Sequence, residues 1–454
     1  MENIDSMASN IPWNLFPKTM QDAIITTHQL GLHFLWIDAL SIIQDDEEDK
    51  AQQISQMPLI YGQATVVIAA SRATEATEGF LHERIATHEK AFQLPYRCAT
   101  GATGDLGSVV MIDRSDRDQK MQPLDKRAWA FQERLLAPRV LDYSDSQTRW
   151  TCRHENWKLP LADGWWTHEI RLHLTLNDRL HPSNLTTELV RKEISASLRY
   201  DWASCVAEYK TRDLTIQSDK ILAISGIAKL YANALGDRYL AGLWESSLPD
   251  ALLWYVQAVE KRLPRPRKYQ GPSWSWVSVN GKINAWSHSI LDGVDAVTEL
   301  QIVNAHIPLS SSDAPFGALV HGALTVNGRL KSAEWKANSP YEERNSCLRT
   351  LHSDGSHRVL ALRMFPDAYE PDFDDNQWVP VFILLVMSDQ YPDDPEHPDC
   401  WCIVLRPRGG DTYSRLGYFH YWFGATSTRL PNKSKESWTS SLFDACEPQT
   451  ITIV

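Results

Sequence analysis

The densest chemistry in the chain is acidic. Asp45-Asp46-Glu47-Glu48-Asp49 follows the apolar stretch His33-Phe34-Leu35-Trp36-Ile37-Asp38-Ala39-Leu40 and the link Ser41-Ile42-Ile43-Gln44. Its D-D-x-x-D spacing is one that can hold a hard divalent cation and clamp phosphates, since carboxylate oxygens are what such cations prefer. That chemistry belongs inside a long helix of an all-α bundle, whereas here the acids follow an apolar run of strand type. They therefore read as a helix start, where acids interact favourably with the dipole, and no metal site is expected. Asp38 closes the apolar run and is either a catalytic carboxylate at a sheet end or the acceptor of a structural hydrogen bond. His28, His33, His82 and His154 stand singly, without the spacing of a metal ligand set or an acid partner. Neither G-x-S-x-G nor a Walker sequence occurs, and Gly101, Gly104 and Gly107 make G-x-x-G-x-x-G with no helix pattern to receive a phosphate.

The elements that would position these acids read as an α/β unit. Pro17 opens a helix carrying Met20, Ala23, Ile24, Thr27 and Leu30 at helical spacing, and Gly31 closes it. The apolar run 33–40 reads as a buried strand. Ile54, Met57 and Tyr61 mark the next helix, which Pro58 should kink or split, and 65–70 is a β-branched strand. Helix, strand, helix, strand implies a parallel sheet. Residues 71–124 read as loop with one strand near 109–112, 124–136 as a helix stopped by Pro138, and 140–143 and 148–152 as strands. Helix formers dominate 187–234, with Ser218 as the N-cap of a helix through Ile227 and Ala228. From about 271 the chain is β-rich. Asn280-Gly281 and Asn327-Gly328 read as hairpin turns, and strands are expected over 379–387, 401–405, 417–422 and 450–454, with turns such as Pro392-Asp393-Asp394-Pro395. The expected division is 1–160, 161–270 and 271–454.

Composition narrows the function classes. The chain has 454 residues, 43% hydrophobic and 22% charged, which fits an ordinary multidomain globular protein. A net charge of −12 offers no footprint for nucleic acid or an anionic membrane. Eighteen Trp put large flat surfaces into cores or a pocket. Seven scattered cysteines, of which only Cys400 and Cys402 lie close together, read as reduced thiols. With no basic-then-apolar leader and no long apolar run, a cytoplasmic location is expected, where the sequons at Asn184 and Asn432 stay idle.

Several separated motifs then form a recognisable series. Phe16-Pro17-Lys18-Thr19 with Asp22-Ala23-Ile24, Leu35-Trp36-Ile37-Asp38 with Gln44-Asp45-Asp46, and Met57, Ile60-Tyr61 and Ile68-Ala69-Ala70 come first. The run from Arg127-Ala128-Trp129-Ala130-Phe131-Gln132-Glu133 to Arg139, then Ser218-Asp219-Lys220 and Pro272-Ser273-Trp274-Ser275-Trp276, complete it. In this order they resemble the fungal heterokaryon-incompatibility (HET) domain, over residues 16 to about 280. The resemblance implies fungal self/non-self recognition, regulated cell death and a remotely TIR-like parallel-sheet core. Two departures stand out. The A-L-S-Y-x-W-G strand with which such domains start has no counterpart in residues 1–16, so the core is expected without its first strand; and Ser41 stands where the family usually has cysteine.

Some TIR domains cleave NAD through a helix-borne glutamate in a W-x-x-x-E pattern, and Trp129 and Glu133 stand at that spacing. The resemblance makes Glu133 and Asp38 the candidate catalytic residues and NAD a candidate substrate. Trp129, Arg127, Trp36, Gln44, Trp274 and Trp276 become candidate substrate-binding residues. Residues four apart share a helix face, so an indole could stack a base beside a carboxylate that stabilises an oxocarbenium. The plainer readings are a buried salt bridge from Glu133 to Arg127, Arg134 or Arg139, and core packing for Trp129, Trp274 and Trp276, the last two alternating on one strand face. Three functions stay open: an incompatibility protein with nucleotide hydrolase activity, a secondary-metabolite enzyme such as a cyclase, isomerase or hydrolase with a Trp-lined pocket, and a non-catalytic scaffold that binds a protein partner or itself.

Overall fold

The computed structural model describes residues 9–83, 91–97, 106–112, 121–145, 148–152, 161–162, 188–257, 262–285, 296–311, 314–336, 347–351, 355, 357–360, 363–374, 377–391, 394–421, 442–443 and 445–454. Gly101, Gly104, His154, Asn184, Trp286, Pro392, Asp393 and Asn432 lie outside them. The chain forms two compact units, Met1–Leu174 and Thr175–Val454.

In the first unit, helix α1 (Lys18–Gln29) starts after Pro17, whose fixed φ suits a helix entry. Its buried Asp22 accepts from the backbone N–H groups of Phe80 at 2.8 Å and Leu81 at 3.1 Å, tying the loop after β1 to the helix. Gly79, at φ +75°, is needed there: a Cβ would lie 2.5 Å from Asp22 Oδ2. The expected strand over 33–40 does not form. Residues 32–37 carry no regular secondary structure, Phe34 is 94% exposed, and a single helical turn α2 (Asp38–Ser41) follows. An apolar run becomes a strand only with a neighbour for its backbone, and none is paired with it among the described residues.

The acidic run opens α3 (Glu47–Gln63). Asp46 is its N-cap, accepting from Glu48 N at 2.9 Å and Asp49 N at 3.1 Å, while Asp49 Oδ2 accepts from Ile43 N at 2.7 Å. The helix continues through Pro58 rather than splitting. Then come β1 (Val67–Ala69), β2 (Ala91–Arg97), β3 (Leu106–Ile112), α4 (Ala128–Leu136), β4 (Arg139–Tyr143), β5 (Thr148–Cys152) and β6 (Leu161–Ala162). The strand order is β1-β4-β5-β6. Only β1 and β4 run parallel; β4–β5 and β5–β6 are antiparallel, because short links join them, and β2 and β3 form a separate hairpin. The unit is mixed α/β.

The second unit begins with α5 (Glu188–Tyr209). The helix expected after Ser218 breaks into 3-10 turns, Gln217–Lys220 and Leu222–Ile224, before α6 (Ser225–Leu235), which Gly236 ends at φ +62°. Short strands β7 (Tyr239–Leu240) with β8 (Leu243–Trp244), and β9 (Tyr255–Val256) with β10 (Ile283–Asn284), form two ribbons. A ten-stranded sheet follows: β11 (Ala296–Thr298), β12 (Gln301–His306), β13 (Ala323–Trp335), β14 (Leu348–Leu351), β15 (His357–Val359), β16 (Arg363–Pro366), β17 (Val379–Tyr391), β18 (Asp394–Gly409), β19 (Thr412–Tyr421) and β20 (Pro448–Ile453). Its pairings β13–β17, β17–β18, β18–β19, β19–β20 and β20–β13 close a circuit. Trp335, Leu348, Ile383, Cys402, Val404 and Phe419 belong to one buried cluster of this sheet.

Neither Asn-Gly pair makes the hairpin expected of it. Ile283–Asn284 pairs with Tyr255–Val256, not with residues 274–278, and Asn327-Gly328 lies inside β13. A Cβ at Gly328 would meet Leu300 Cδ1 at 2.5 Å, so this glycine makes room for close packing.

Three buried basic side chains tie segments of the second unit to one another. The fully buried Arg415 on β19 pairs with Asp367 through Nε at 2.9 Å and Nη2 at 3.2 Å. It also donates to the carbonyls of Leu252 and Trp254, and lies 3.7 Å from the Trp254 ring centroid. Lys210 Nζ donates to Val279 O at 2.7 Å, and Lys220 Nζ to Val279 O at 2.8 Å, Val277 O at 3.1 Å and Asn280 Oδ1 at 3.2 Å. Carbonyls alone solvate these ammonium groups, so burial lowers the Lys210 amine well below its ordinary range and the Lys220 amine to about 7.

Candidate functional site

Glu133 sits on α4, a helix that exists because Ala128, Ala130, Phe131, Gln132, Leu135 and Leu136 bury one broad face. It starts at Arg127, whose backbone is extended, and stops at Ala137 before Pro138. The expected helix over 124–136 is thus a 3-10 turn, Leu124–Lys126, followed by α4. Glu133 itself is half-buried, as is Trp129 one turn earlier.

The carboxyl of Glu133 faces the end of α3. Tyr61, on that helix, has its hydroxyl beside it, and Trp36 meets the Tyr61 ring edge-on at 5.6 Å and 79°. Burial pushes the Glu133 carboxyl up; the Arg127 guanidinium opposes this, the Asp38 carboxylate adds to it, and the Tyr61 hydroxyl and Arg134 favour ionisation. The balance leaves it at about 7. Tyr61 is driven far above the ordinary tyrosine range by burial first, then by the negative charges of Glu133 and Asp38.

The salt bridges that could have neutralised Glu133 are not made. Arg134 is committed elsewhere, to Asp142 at 3.0 Å, to Asp125 at 3.5 Å and to Ser71 Oγ. Arg149 completes that buried network through Asp142 at 2.7 Å, and although burial opposes ionisation, Arg134 and Arg149 hold the Asp142 carboxyl low. Arg139 donates to Thr65 O at 3.1 Å. Among the described residues Glu133 is in no ion pair, and its cationic neighbour Arg127 is exposed. A carboxyl of this kind is charged in about half the molecules at neutral pH, the condition under which a group both takes up and releases a proton.

Of the residues expected at a site, Glu133, Asp38, Arg127 and Trp36 are brought around Tyr61, with Trp129 on the same helix as Glu133. Asp38 is exposed at the start of α2, where its Oδ1 accepts from Ala39 N at 2.7 Å. Gln44 is exposed and turned back on its own loop, with Nε2 donating to Ile42 O at 3.1 Å. Trp274 and Trp276 belong to the second unit, at 0% and 1% exposure, and lie in a turn and a 3-10 helix, Trp276–Ser278, rather than on a strand. Trp276 Nε1 donates to Gly242 O at 2.9 Å, the Trp274 indole N–H has no partner among the described residues, and Trp274 O accepts from Trp254 Nε1 at 2.9 Å. Tyr61 is the residue the sequence concealed, since a tyrosine at helical spacing before a glycine looks like core. Among the described residues no cluster of acids, histidines and cysteines has the makings of a metal site, and no helix is long and apolar enough to cross a membrane.

No curated protein matches the chain, and no solved structure does. Residues 2–133, a stretch whose last residue is Glu133 itself, match the model of the family Heterokaryon incompatibility protein (HET).

Proposed function

We propose that the protein serves heterokaryon incompatibility and that its HET domain hydrolyses the bond between ribose and nicotinamide in NAD, with Glu133 as the catalytic carboxylate. The observation that supports this most is a carboxyl held at about 7 beside a tyrosine hydroxyl, with no ion pair among the described residues. In the reaction the C1′–N bond breaks and nicotinamide leaves with the electron pair as the neutral base. Ionised Glu133 stabilises the positive ribosyl fragment, water attacks C1′, and the water's proton passes to Glu133 and then to solvent. Tyr61 orients the carboxylate, Trp129 offers a flat face to a base, and the exposed Arg127 supplies positive charge for a phosphate. Asp38, by its negative charge, keeps Glu133 from ionising too early.

The test is nicotinamide release by the purified full chain, followed by chromatography. Release is expected to rise with pH through about 7 and to fall by at least ~10²-fold in Glu133→Gln. No release, or release unchanged by that substitution, overturns the hydrolase reading.

A further inference from the structure

We propose that a cleft in the second unit binds a small organic acid, a flat apolar body carrying one carboxylate. The cleft has a volume of about 820 Å³, and all of its lining residues fall between Ala196 and Thr298. That is the size of pockets that enclose small ligands.

Its floor is built of indoles held in fixed positions. Trp202, Trp244, Trp254 and Trp276 line it, none more than 4% exposed. Trp202 Nε1 at 3.0 Å and Trp276 Nε1 at 2.9 Å both donate to Gly242 O. Only glycine fits at that point: φ is +99°, and a Cβ would lie 2.6 Å from Trp276 Nε1. The doubly bonded carbonyl locks two of the four rings, so the apolar floor is preorganised for a flat body.

Two polar atoms of the lining are left unpaired. Trp244 Nε1 and Ser247 Oγ are buried and have no hydrogen-bond partner among the described residues. Leaving such groups unpaired is costly, and a ligand acceptor relieves that cost. Arg199 gives its Nε–H to Ser246 Oγ at 3.1 Å, and its terminal nitrogens have no partner among the described residues. A guanidinium fork matches a carboxylate in two parallel hydrogen bonds, which selects an acid over a neutral acceptor. The acid on the wall, Asp250, is already engaged by Thr298 Oγ1 at 3.5 Å. Small residues at Ala196 and Ala251 leave space above the floor.

Calorimetric titration of the full chain with 2-naphthoate and with its neutral isostere 2-naphthamide tests this. The expected result is one naphthoate per chain, with the amide at least about tenfold weaker. Arg199→Gln is expected to weaken naphthoate by about tenfold or more and to erase the preference for the acid. Ala196→Trp fills the cleft and is expected to abolish binding; should that variant fail to fold, Arg199→Gln at the half-buried wall carries the test. Absence of saturable naphthoate binding, equal affinity for both probes, or binding unaltered in Arg199→Gln overturns the proposal. Glu133→Gln is expected to bind naphthoate as the unaltered chain does, so failure here is separate from failure of the hydrolase reading.

Discussion

The replacement Glu133→Gln should raise the stability of the first unit at neutral and alkaline pH, although it removes the residue on which the proposed activity depends. An exposed glutamate ionises at 4.5, whereas Glu133 in the folded protein does so at about 7. Between those values the folded state keeps a proton that the unfolded chain has lost. Stability is therefore fully present below 4.5, declines as pH climbs, and is lost above about 7. The gap corresponds to about 3 kcal/mol. Allowing for the access of water to a half-buried side chain brings this to about 2 kcal/mol. Glutamine keeps the shape beside the Tyr61 hydroxyl without ever bearing charge, so the variant escapes the penalty. Hydrogen exchange of peptides spanning residues 128–143, corrected for intrinsic rates, reads this locally in a chain whose two units need not unfold together. The unaltered protein should lose about 2 kcal/mol of protection between pH 5 and pH 8, and the variant almost none. Parallel pH dependence in the two proteins would refute the assignment of Glu133 as a carboxyl held protonated by burial.

Other expectations follow from the same structure. Tyr61→Phe deletes the hydroxyl that favours the ionised carboxyl, so the pH midpoint of nicotinamide release should move upward, by about one pH unit. For Lys220 the sign is opposite: its amine titrates at about 7 when folded against 10.5 otherwise, so the stability of the second unit should rise as pH increases from 7 to 10.5. Lys220→Met should flatten that rise in urea unfolding measured at pH 7 and pH 9.5. Arg415→Ala strands the carboxylate of Asp367 and opens a cavity against Trp254, a loss of about 3–5 kcal/mol visible as a lower melting temperature of the second unit.

The resemblance, carried by short motifs, names Trp36, Arg127 and Glu133 as candidates, and the apolar run adds Asp38 at its end; all four lie around Tyr61. Tyr61 itself was not a candidate, because its role depends on where the end of α3 meets α4, a distance no spacing encodes. In the β-rich part long runs coincide with strands: 379–387, 401–405 and 450–454 fall on strands or at their ends, as does 417–421 of the run 417–422. Partners were read poorly. The stretch 33–40 has the composition of a buried strand, yet Phe34 stands in solvent because backbone pairing is a property of neighbours. Asn327-Gly328 has the chemistry of a turn but serves a strand interior, where the need to seat Leu300 outweighs local preference. Trp274 and Trp276 alternate like strand residues and instead wrap a short 3-10 turn, held by indole-to-carbonyl hydrogen bonds.

The closed circuit of strands in the second unit sets the order in which that unit can be assembled. Strand β20 is bonded antiparallel to β13 through Leu324↔Ile453 and parallel to β19 through Thr412↔Thr452, so it slots between partners that lie far apart along the chain. The ring cannot shut until more than a hundred residues have been threaded past one another, and the loop entropy for that closure falls due before its contacts repay it. Folding of this unit should therefore be slow for its size, in the range of ~ms to seconds or longer typical of non-local β pairing. During that interval β13 and β19 present unsatisfied edges, which makes β20 the natural guard of the protein against pairing with a neighbouring copy of itself.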